Sequence, residues 1–344
     1  MRAPGFWWRA PPSALARLLQ PLGMLYGAVT LKRMRRPGIE AGLPVICVGN
    51  FVAGGAGKTP TTLALASRLA KMGETPFALT RGYGGRLPGP LRVDAARHAA
   101  VDVGDEPLLL AAQLPTIVAR ERPAGATLAR EAGASVVLMD DGLQNPALHK
   151  DLRLAVVDGV AGVGNGLCLP AGPLRAPLAG QLGQVDALVV IGEGAAGEHV
   201  ATQALTVGKR VLRAKLVPPV DIQAELAGLS VLAASGIGRP EKFAATLRAA
   251  GARLAGERAY GDHHAYSDAD VAALIGDAKA KACRIAVTEK DMVKLAPLWP
   301  AAERSLLLCV PVTLVFEDDA ALDALLRHAV VKARSAAAGA SHAQ

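Results

Sequence analysis

The sequence predicts an α/β fold, with a largely parallel sheet covered by helices on both faces and a second, smaller α/β domain. Short apolar runs typical of buried strands alternate with helical patterns along the chain. A glycine-rich loop containing a lysine lies between the first apolar run and an Ala/Leu-rich helix. At 344 residues the chain is also longer than one average domain, so we expect two domains that share a cleft.

The predicted elements fall into two groups, separated near Pro218 and Pro219. In the first group the strand-like runs are 44–48, 77–80, 116–119, 135–139, 152–157 and 187–191. Helical patterns in this group lie at 60–72, 106–114 and 123–132. In the second group the strand-like runs are 229–234 and 284–287, and the helical patterns are 240–250 and 268–281.

Composition argues against several classes of protein. The four cysteines are scattered with no C-x-x-C pair, which argues against a disulfide framework and against a zinc site. The chain has 38 basic and 30 acidic residues, a net charge of +8, and seven of the basic residues lie within 1–36, which holds no acid. Because a nucleic-acid enzyme more usually spreads its basic groups over a groove, we expect no nucleic-acid partner. The cysteine pattern is typical of a protein that faces the cytosol.

The N-terminal segment predicts an amphipathic helix. Ser13 follows a Pro-Pro break and is placed to cap this helix. Its apolar positions recur at helical spacing and are Leu15, Leu18, Leu19, Leu22, Leu25, Tyr26 and Val29. Polar residues and Pro21 interrupt the apolar run, and the basic cluster follows it, so the pattern favours neither a transmembrane span nor a secretory signal.

This segment is predicted to lie on a membrane surface. Trp7 and Trp8 match the headgroup level, where aromatic residues are enriched. The basic residues of 32–36 would each contribute about 1 kcal/mol against an anionic leaflet. The alternative is a terminal helix that packs on its own domain.

The strongest motif is Gly54-Gly55-Ala56-Gly57-Lys58-Thr59, placed between a predicted strand and a predicted helix. Backbone N–H groups of such a loop point at phosphate oxygens, Lys58 would reach the β- and γ-phosphates of ATP, and Thr59 would hold Mg²⁺. The usual first glycine of this P-loop pattern falls at Val52, so the loop is a variant form. A flexible glycine turn is the alternative, and the order of strand, loop and helix argues against it.

A second motif brings acids to the same edge of the sheet. The apolar run 136–139 ends in Asp140 and Asp141, as in a Walker-B element. An acid at this position can hold Mg²⁺ directly or through water. Two aspartates before Gly142 are also an ordinary strand exit, but the upstream loop favours the metal role. The predicted metal ligands are therefore Thr59, Asp140 and Asp141.

Three further groups of residues are weaker when taken alone. Gly104-Asp105-Glu106-Pro107 opens a helix, where Asp105 can be a simple N-cap. Asp262-His263-His264 lies in a loop, and loop histidines more often face solvent than catalyse. Arg81 follows a strand and Arg175 follows a turn, so either arginine can clamp a phosphate, although surface arginines rarely do.

Four segments are predicted from these patterns. They are a membrane-interface segment at 1–36, a P-loop nucleotide-binding domain at 37–220, a smaller α/β domain closing the cleft at 221–330, and a disordered tail at 331–344.

Taken in order, the motifs resemble those of the tetraacyldisaccharide 4′-kinase family, the lipid A kinases of Gram-negative bacteria. The resemblance spans about residues 13–320, and the combination is far more specific than any single motif. It rests on Val48-Gly49-Asn50, Gly54-Gly55-Ala56-Gly57-Lys58-Thr59-Pro60, Arg81-Gly82-Tyr83, Gly104-Asp105-Glu106-Pro107, Asp140-Asp141-Gly142-Leu143-Gln144, Leu169-Pro170-Ala171-Gly172-Pro173-Leu174-Arg175 and Asp262-His263.

The resemblance implies an activity and a location. It implies transfer of the γ-phosphoryl group of ATP, with Mg²⁺, to the 4′-hydroxyl of an acylated glucosamine disaccharide 1-phosphate held in the membrane. This reaction takes place at the cytoplasmic face of the inner membrane during lipid A biosynthesis. The N-terminal segment would then bring the enzyme, which we expect to be a peripheral monomer, to a substrate that does not leave the bilayer.

The resemblance also implies residue roles. Asp105 would accept the proton of the sugar hydroxyl, with His263 paired to it across the cleft, and Lys58 would bind phosphate during catalysis. The implied substrate contacts are Asn50, Arg81, Tyr83 and Arg175. Members of the family often carry Glu directly after the arginine of the last motif, whereas this chain has Ala176, so no role for that glutamate carries over.

Other classes of protein use parts of this pattern. A membrane-associated switch ATPase would bind nucleotide without a phosphoryl acceptor, but the variant loop of the partitioning and division-site ATPases has Lys before the Gly-Gly pair, where this chain has Ala53. A nucleotide-regulated membrane scaffold would leave Asp105 and His263 without a role in turnover. A kinase acting on another small molecule is the third alternative.

Overall fold

A computed structural model describes residues 3–261 and 264–341, with side chains described as far as residue 336. The α-helices of this part of the chain are α1 (Ala14–Met34), α2 (Lys58–Lys71), α3 (Ala100–Val103), α4 (Asp105–Ala111), α5 (Arg122–Glu131), α6 (Leu178–Leu182), α7 (Ala195–Thr206), α8 (Val220–Leu226), α9 (Pro240–Ala249), α10 (Asp268–Ala280), α11 (Glu289–Leu295) and α12 (Asp319–Ser341). Short 3-10 helices span Gly5–Trp8, Ala296–Leu298 and Ala301–Leu306.

The strands of the same residues are β1 (Val45–Asn50), β2 (Pro76–Thr80), β3 (Leu91–Arg92), β4 (Thr116–Val118), β5 (Val136–Asp140), β6 (Leu152–Asp158), β7 (Ala187–Ile191), β8 (Arg210–Val217), β9 (Ser230–Ser235), β10 (Arg253–Ala259), β11 (Arg284–Thr288), β12 (Leu307–Val310) and β13 (Thr313–Phe316).

Nine of the described strands form one large sheet, in the order β13-β8-β7-β6-β1-β5-β2-β4-β3. The pairs from β8 to β4 are parallel, and only the edge strands β13 and β3 pair antiparallel with their neighbours. The predicted α/β fold with a largely parallel sheet is confirmed. Strands β1, β5 and β2 are adjacent, so the segments that follow them meet at one edge of the sheet.

The central strands are buried on both faces, which explains their continuous apolar sequences. Every residue of β1 is buried, with Cys47 in the hydrophobic cluster of one face and Ile46 and Val48 in that of the other. Helices α5 and α7 contribute to the first cluster, whereas α2 and α12 contribute to the second.

The C-terminal part of the chain returns to the large sheet. Strand β13 pairs with β8, and Leu322, Leu326 and Val330 of α12 pack in the same cluster as α2. The predicted end of the smaller domain at residue 330 is therefore wrong, because residues 313–330 complete the large unit. Disorder from residue 331 is also wrong as far as Ser341, where α12 ends. A four-residue strand carries too little pattern to indicate which sheet it joins.

The other strands of the described chain form a smaller parallel sheet in the order β10-β9-β11-β12. Leu274 of α10 packs in the hydrophobic cluster on one of its faces, and Leu247 of α9 packs in the cluster on the other. This smaller unit meets the large one where α11 packs against α4.

Helix α1 lies on the large unit. The Oγ atom of Ser13 accepts a hydrogen bond from the Ala16 N–H at 3.2 Å, which confirms the predicted N-cap. Gly27 faces Cys168, and a Cβ atom at Gly27 would lie 2.7 Å from the Cys168 Sγ atom. Pro21 lies inside α1 and does not end the helix. By length and apolar composition α1 could therefore cross a membrane.

We expect Leu326→Ala to lower the free energy of unfolding by about 2–5 kcal/mol, because Leu326 is fully buried between α12 and the large sheet. Leu205 of α7 is 58% exposed and serves as the matched control, for which Leu205→Ala should cost less than about 0.5 kcal/mol. Denaturant unfolding of both variants measures the difference. Equally small effects would contradict the packing of α12 on this sheet.

Candidate active site

The glycine-rich loop leaves β1 and enters α2 at the carboxyl edge of the large sheet. Gly57 N-caps α2 with φ at +93°, and a Cβ atom there would lie 2.6 Å from the Ile191 Cδ1 atom, so the position requires glycine. The Lys58 Nζ atom donates to the Gly54 carbonyl oxygen at 3.5 Å. Thr59, partly exposed, is the second residue of α2. The free N–H groups at such a helix start favour a bound phosphate.

Two amide side chains brace this loop from below. The Asn50 Nδ2 atom donates to the Gly54 carbonyl oxygen at 2.9 Å, and the Gln144 Nε2 atom donates to the Asn50 carbonyl oxygen at 2.9 Å. The buried Asn50 Oδ1 atom has no hydrogen-bond partner among the described residues. Asn50 ends the central strand and is fully buried under the loop, which its amide donor supports, and its role as a substrate contact stays a prediction.

Asp140 ends β5 directly beside β1, in register with Val48. The Thr62 Oγ1 atom of α2 donates to the Asp140 Oδ1 atom at 3.3 Å. Burial raises the pKa of Asp140 to about 7, and the negative charge of Glu106 adds to this rise while Lys58 opposes it. Without a bound cation Asp140 therefore keeps its proton to near neutral pH.

Asp141 lies between two cations. Arg175 donates from its Nη1 and Nη2 atoms to the two carboxylate oxygens of Asp141, at 2.8 Å and 3.1 Å. The Lys58 Nζ atom lies 3.8 Å from the Asp141 Oδ1 atom. Burial favours the neutral acid, but Lys58 and Arg175 outweigh it and hold the pKa of Asp141 below its ordinary value. Asp141 is therefore an ionised carboxylate next to the loop.

Backbone hydrogen bonds join the segment that carries Arg175 to the residues just before the loop. The Ala53 N–H donates to the Pro173 carbonyl oxygen and the Arg175 N–H donates to the Phe51 carbonyl oxygen, both at 2.8 Å. Ala176, which follows Arg175, is completely buried, so an apolar residue fits the local packing.

Asp105 begins α4 with 6% of its surface exposed. Gly104 before it has φ at +95°, and a Cβ atom there would lie 2.4 Å from the Tyr83 carbonyl oxygen. Only glycine lets the chain around Tyr83 pack against the start of α4. Arg81 and Tyr83, two of the predicted substrate contacts, are both exposed.

Two lysines of the smaller unit, which the sequence motifs did not indicate, also approach Asp105. The Nζ atoms of Lys290 and Lys294 lie 3.7 Å and 3.8 Å from the Asp105 Oδ2 atom. Lys290 also lies 3.5 Å from the Glu106 Oε1 atom. The signal that could find Lys290 is the polar run Glu289-Lys290-Asp291 directly after β11, since residues at strand exits often bind ligands.

His263, predicted across the cleft from Asp105, and Asp262 of the same motif lie outside the described residues. The next residue, His264, stacks on Tyr260 with ring centroids 4.8 Å apart, and its Nε2 atom lies 3.2 Å from the Asp270 Oδ2 atom. The pairing of His263 with Asp105 stays a prediction.

Oxygen donors for Mg²⁺ are present beside the loop. Within the described ranges no group of three or more His, Cys, Asp or Glu side chains forms a metal cluster. Mg²⁺ in nucleotide sites typically takes one or two protein oxygens together with phosphates and waters, so such a cluster is not required. The Asp140 carboxyl fits this pattern, because it is buried and a cation would stabilise its charged form. Both Asp141 oxygens are bonded to Arg175.

Comparison with known proteins agrees with the motifs. The family model LpxK, tetraacyldisaccharide-1-P 4′-kinase, matches residues 15–331. The tetraacyldisaccharide 4′-kinase of Methylobacterium nodulans is 57% identical over 323 residues, which cover 94% of each chain. The protein of the same name from Bradyrhizobium sp. strain BTAi1 is 52% identical over 335 residues, which cover 97% of each chain. A crystal structure of the "apo" form of LpxK from Aquifex aeolicus in complex with ATP has the same fold, with a TM-score of 0.71, 24% identity, and coverage of 92% of this chain and 99% of that chain.

The raised pKa of Asp140 predicts that stability falls as the pH rises. Asp140 ionises near its ordinary pKa of 3.8 in the unfolded chain but keeps its proton to about pH 7 in the folded chain. Between these values only the unfolded state releases the proton, so unfolding becomes easier. Asp140→Asn, which stays neutral, should gain on the order of 2 kcal/mol relative to the intact chain between about pH 5 and pH 7. Denaturant unfolding without nucleotide or metal tests this, and a difference independent of pH would contradict it.

Proposed function

This chain belongs to the tetraacyldisaccharide 4′-kinase family, and we propose that it transfers the γ-phosphoryl group of ATP to the 4′-hydroxyl of tetraacyldisaccharide 1-phosphate in lipid A biosynthesis. One observation supports this above all: a phosphate-binding loop, two acids at a neighbouring strand exit and a buried aspartate converge at one edge of the sheet. The charge of Glu106, next to Asp105, already influences Asp140, which supports a single site. Phosphoryl transfer needs alignment and charge neutralisation more than covalent chemistry, and this arrangement offers both.

ATP binding would use the loop Gly54-Gly55-Ala56-Gly57-Lys58-Thr59. Its N–H groups and Lys58 would hold the β- and γ-phosphates, as in other loops of this kind. Lys58 and Arg175 share the single negative charge of Asp141. A triphosphate carries more negative charge than one carboxylate, so we propose that both cations turn to the phosphates when ATP binds.

Mg²⁺ would be held by Thr59 together with Asp140, and by Asp141 once Arg175 engages phosphate. The bound ion would supply positive charge that neutralises the β- and γ-phosphate oxygens. The protein contributes the position and the ionisation of these oxygen ligands.

Asp105 would act as the general base. The 4′-hydroxyl oxygen would bond to the γ-phosphorus while the bond from that phosphorus to the β–γ bridging oxygen breaks. The hydroxyl proton would pass to the Asp105 carboxylate and ADP would leave with the electron pair of the broken bond. Arg81 and Tyr83, which are both exposed, would contact the acceptor. His263 would pair with Asp105 when both substrates are bound, which would limit ATP hydrolysis.

A switch ATPase without an acceptor would need only the nucleotide half of this site. Asp105 is distinct from the loop and from the acids that follow β5, and it is buried at the junction of the two units. A buried carboxylate next to exposed acceptor-side residues supports a kinase over a switch.

The enzyme would work as a peripheral monomer on the cytoplasmic face of the inner membrane. The outward side of α1 carries large exposed apolar residues, namely Leu15, Leu18, Leu22, Met24, Leu25, Tyr26 and Val29. At the end of α1 a cavity of about 170 Å³ is lined by several basic residues, among them Arg35, Arg36, Lys150 and Arg153. An apolar helix face beside a basic cluster supports contact with an anionic membrane surface.

Lys58→Ala and Asp105→Ala are each expected to reduce lipid phosphorylation at least about 100-fold, because the first removes phosphate binding and the second removes the base. Transfer of labelled γ-phosphate from ATP to tetraacyldisaccharide 1-phosphate in mixed micelles measures this. Lys71→Ala, at an exposed position of the same helix as Lys58, is the control and should keep full activity. If the intact chain binds ATP but forms no lipid product, the kinase assignment fails and the switch ATPase becomes the better explanation.

Replacing both Leu18 and Leu25 by Glu should weaken binding to vesicles containing phosphatidylglycerol at least about tenfold, since each leucine contributes about 1–2 kcal/mol when it leaves water. These side chains are 76% and 66% exposed, so folding should not suffer. Leu205→Glu, at an exposed position of α7, is the control. Vesicle flotation tests the pair, and unchanged binding of the double variant would refute the role of α1.

A further inference from the structure

We propose that α11 of the smaller unit positions the catalytic base, with Lys290 and Lys294 holding Asp105 in place and Asp291 fixing the helix that carries them. This inference rests on the proposed kinase function and adds residues to its site. Helix α11 lies outside all of the sequence motifs described above.

The two lysines occupy one side of α11, four residues apart, and both point across the junction to the large unit. The side chains of Lys290 and Lys294 are only 16% and 11% exposed, and the side chain of Asp105 is 7% exposed. The Nζ atoms lie 3.7 Å and 3.8 Å from the Asp105 Oδ2 atom. These distances are within the range of an ion pair but are longer than a hydrogen bond. The ammonium groups therefore act on Asp105 mainly through charge.

A buried carboxylate needs such charge. Removing a carboxylate from water strongly disfavours its ionised form unless positive groups lie nearby. A general base must be ionised and must point at the hydroxyl that it deprotonates. Two ammonium groups within 4 Å of one Asp105 oxygen favour both conditions.

Asp291 anchors α11 from the other side. Its side chain is completely buried and accepts hydrogen bonds from the Gly236 N–H at 3.0 Å, the Tyr266 hydroxyl at 2.9 Å and the Thr288 hydroxyl at 2.6 Å. Lys294 lies 3.8 Å from the same carboxylate. Asp291 thus ties two separate segments of the smaller unit, those of Gly236 and Tyr266, to the helix that reaches Asp105.

These contacts make the base depend on both units. Asp105 and Glu106 belong to the large unit, whereas the lysines that face them belong to the smaller one. Only the packed arrangement of α11 against α4 brings the charges together. Asp105 would therefore be fully competent only while the two units are closed.

Replacing Lys290 or Lys294 by Met tests the proposal, because methionine keeps the length of the side chain and removes the charge. Each change should lower kcat for lipid phosphorylation at least about tenfold and leave the Kd for ATP within about twofold. Lys294→Arg should recover part of the lost kcat, since it restores the charge. Lys279→Met removes an exposed lysine that pairs with Glu303 on the far side of the smaller unit, and it should keep full activity.

A double-mutant cycle with Asp105→Asn separates positioning from a general structural effect. If the lysines act through Asp105, Lys290→Met should change the residual kcat of Asp105→Asn less than about twofold. Thermal unfolding confirms that each variant is folded, and Lys→Gln replaces Lys→Met where a variant is not.

Three outcomes would overturn the proposal. Full additivity of the lysine and Asp105 effects on kcat would show that the lysines act elsewhere, while the kinase function would stand. Loss of ATP affinity with unchanged kcat would assign the lysines to nucleotide binding instead. Absence of lipid product from the intact chain would remove the kinase function itself, and the role of α11 with it.

Discussion

Arg175 donates two hydrogen bonds to Asp141, and this ion pair joins segments that lie far apart in the sequence. Lys58 of the loop faces the same carboxylate, and Gln144 bonds to the Arg175 guanidinium at 3.0 Å. The backbone of Arg175 is fixed to Phe51 just before the loop. Bringing charged groups out of bulk water is costly unless opposite charges lie beside them, and Asp141 supplies one negative charge beside the two cations.

Cations also face buried carboxylates where the two units meet. At one contact, lysines of α11 face Asp105. At another, Asp158 at the end of β6 accepts hydrogen bonds from Arg239 and, at 2.9 Å, from Lys242 of the smaller unit. Burial favours neutral Asp158, but Lys242 and the other donors hold its pKa below the ordinary value. Each contact sets cations of the smaller unit against a buried carboxylate of the large one, which favours the closed arrangement.

One segment links the N-terminal residues with the edge of the sheet that carries the glycine-rich loop. The Trp7 Nε1 atom donates to the Pro170 carbonyl oxygen at 3.0 Å, and the Asn165 N–H donates to the Trp7 carbonyl oxygen at 2.7 Å. The same segment continues to Arg175, which bonds to Asp141. The N-terminal segment is therefore connected through this segment to the residues around the glycine-rich loop.

The sequence by itself determined the features that depend on neighbouring residues. Continuous apolar runs specified strands buried on both faces, glycines specified the turn before α2, and the order of strand, loop and helix specified the phosphate-binding edge. Only the tertiary structure decided which distant groups meet. The approach of Lys290 to Glu106 spans 184 residues of sequence, and the bond of Arg175 to Asp141 spans 34. It also decided that Asn50 is buried under the loop and that β13 completes the large sheet. No local pattern encodes these facts, because they depend on which strands become neighbours and on how the two units pack.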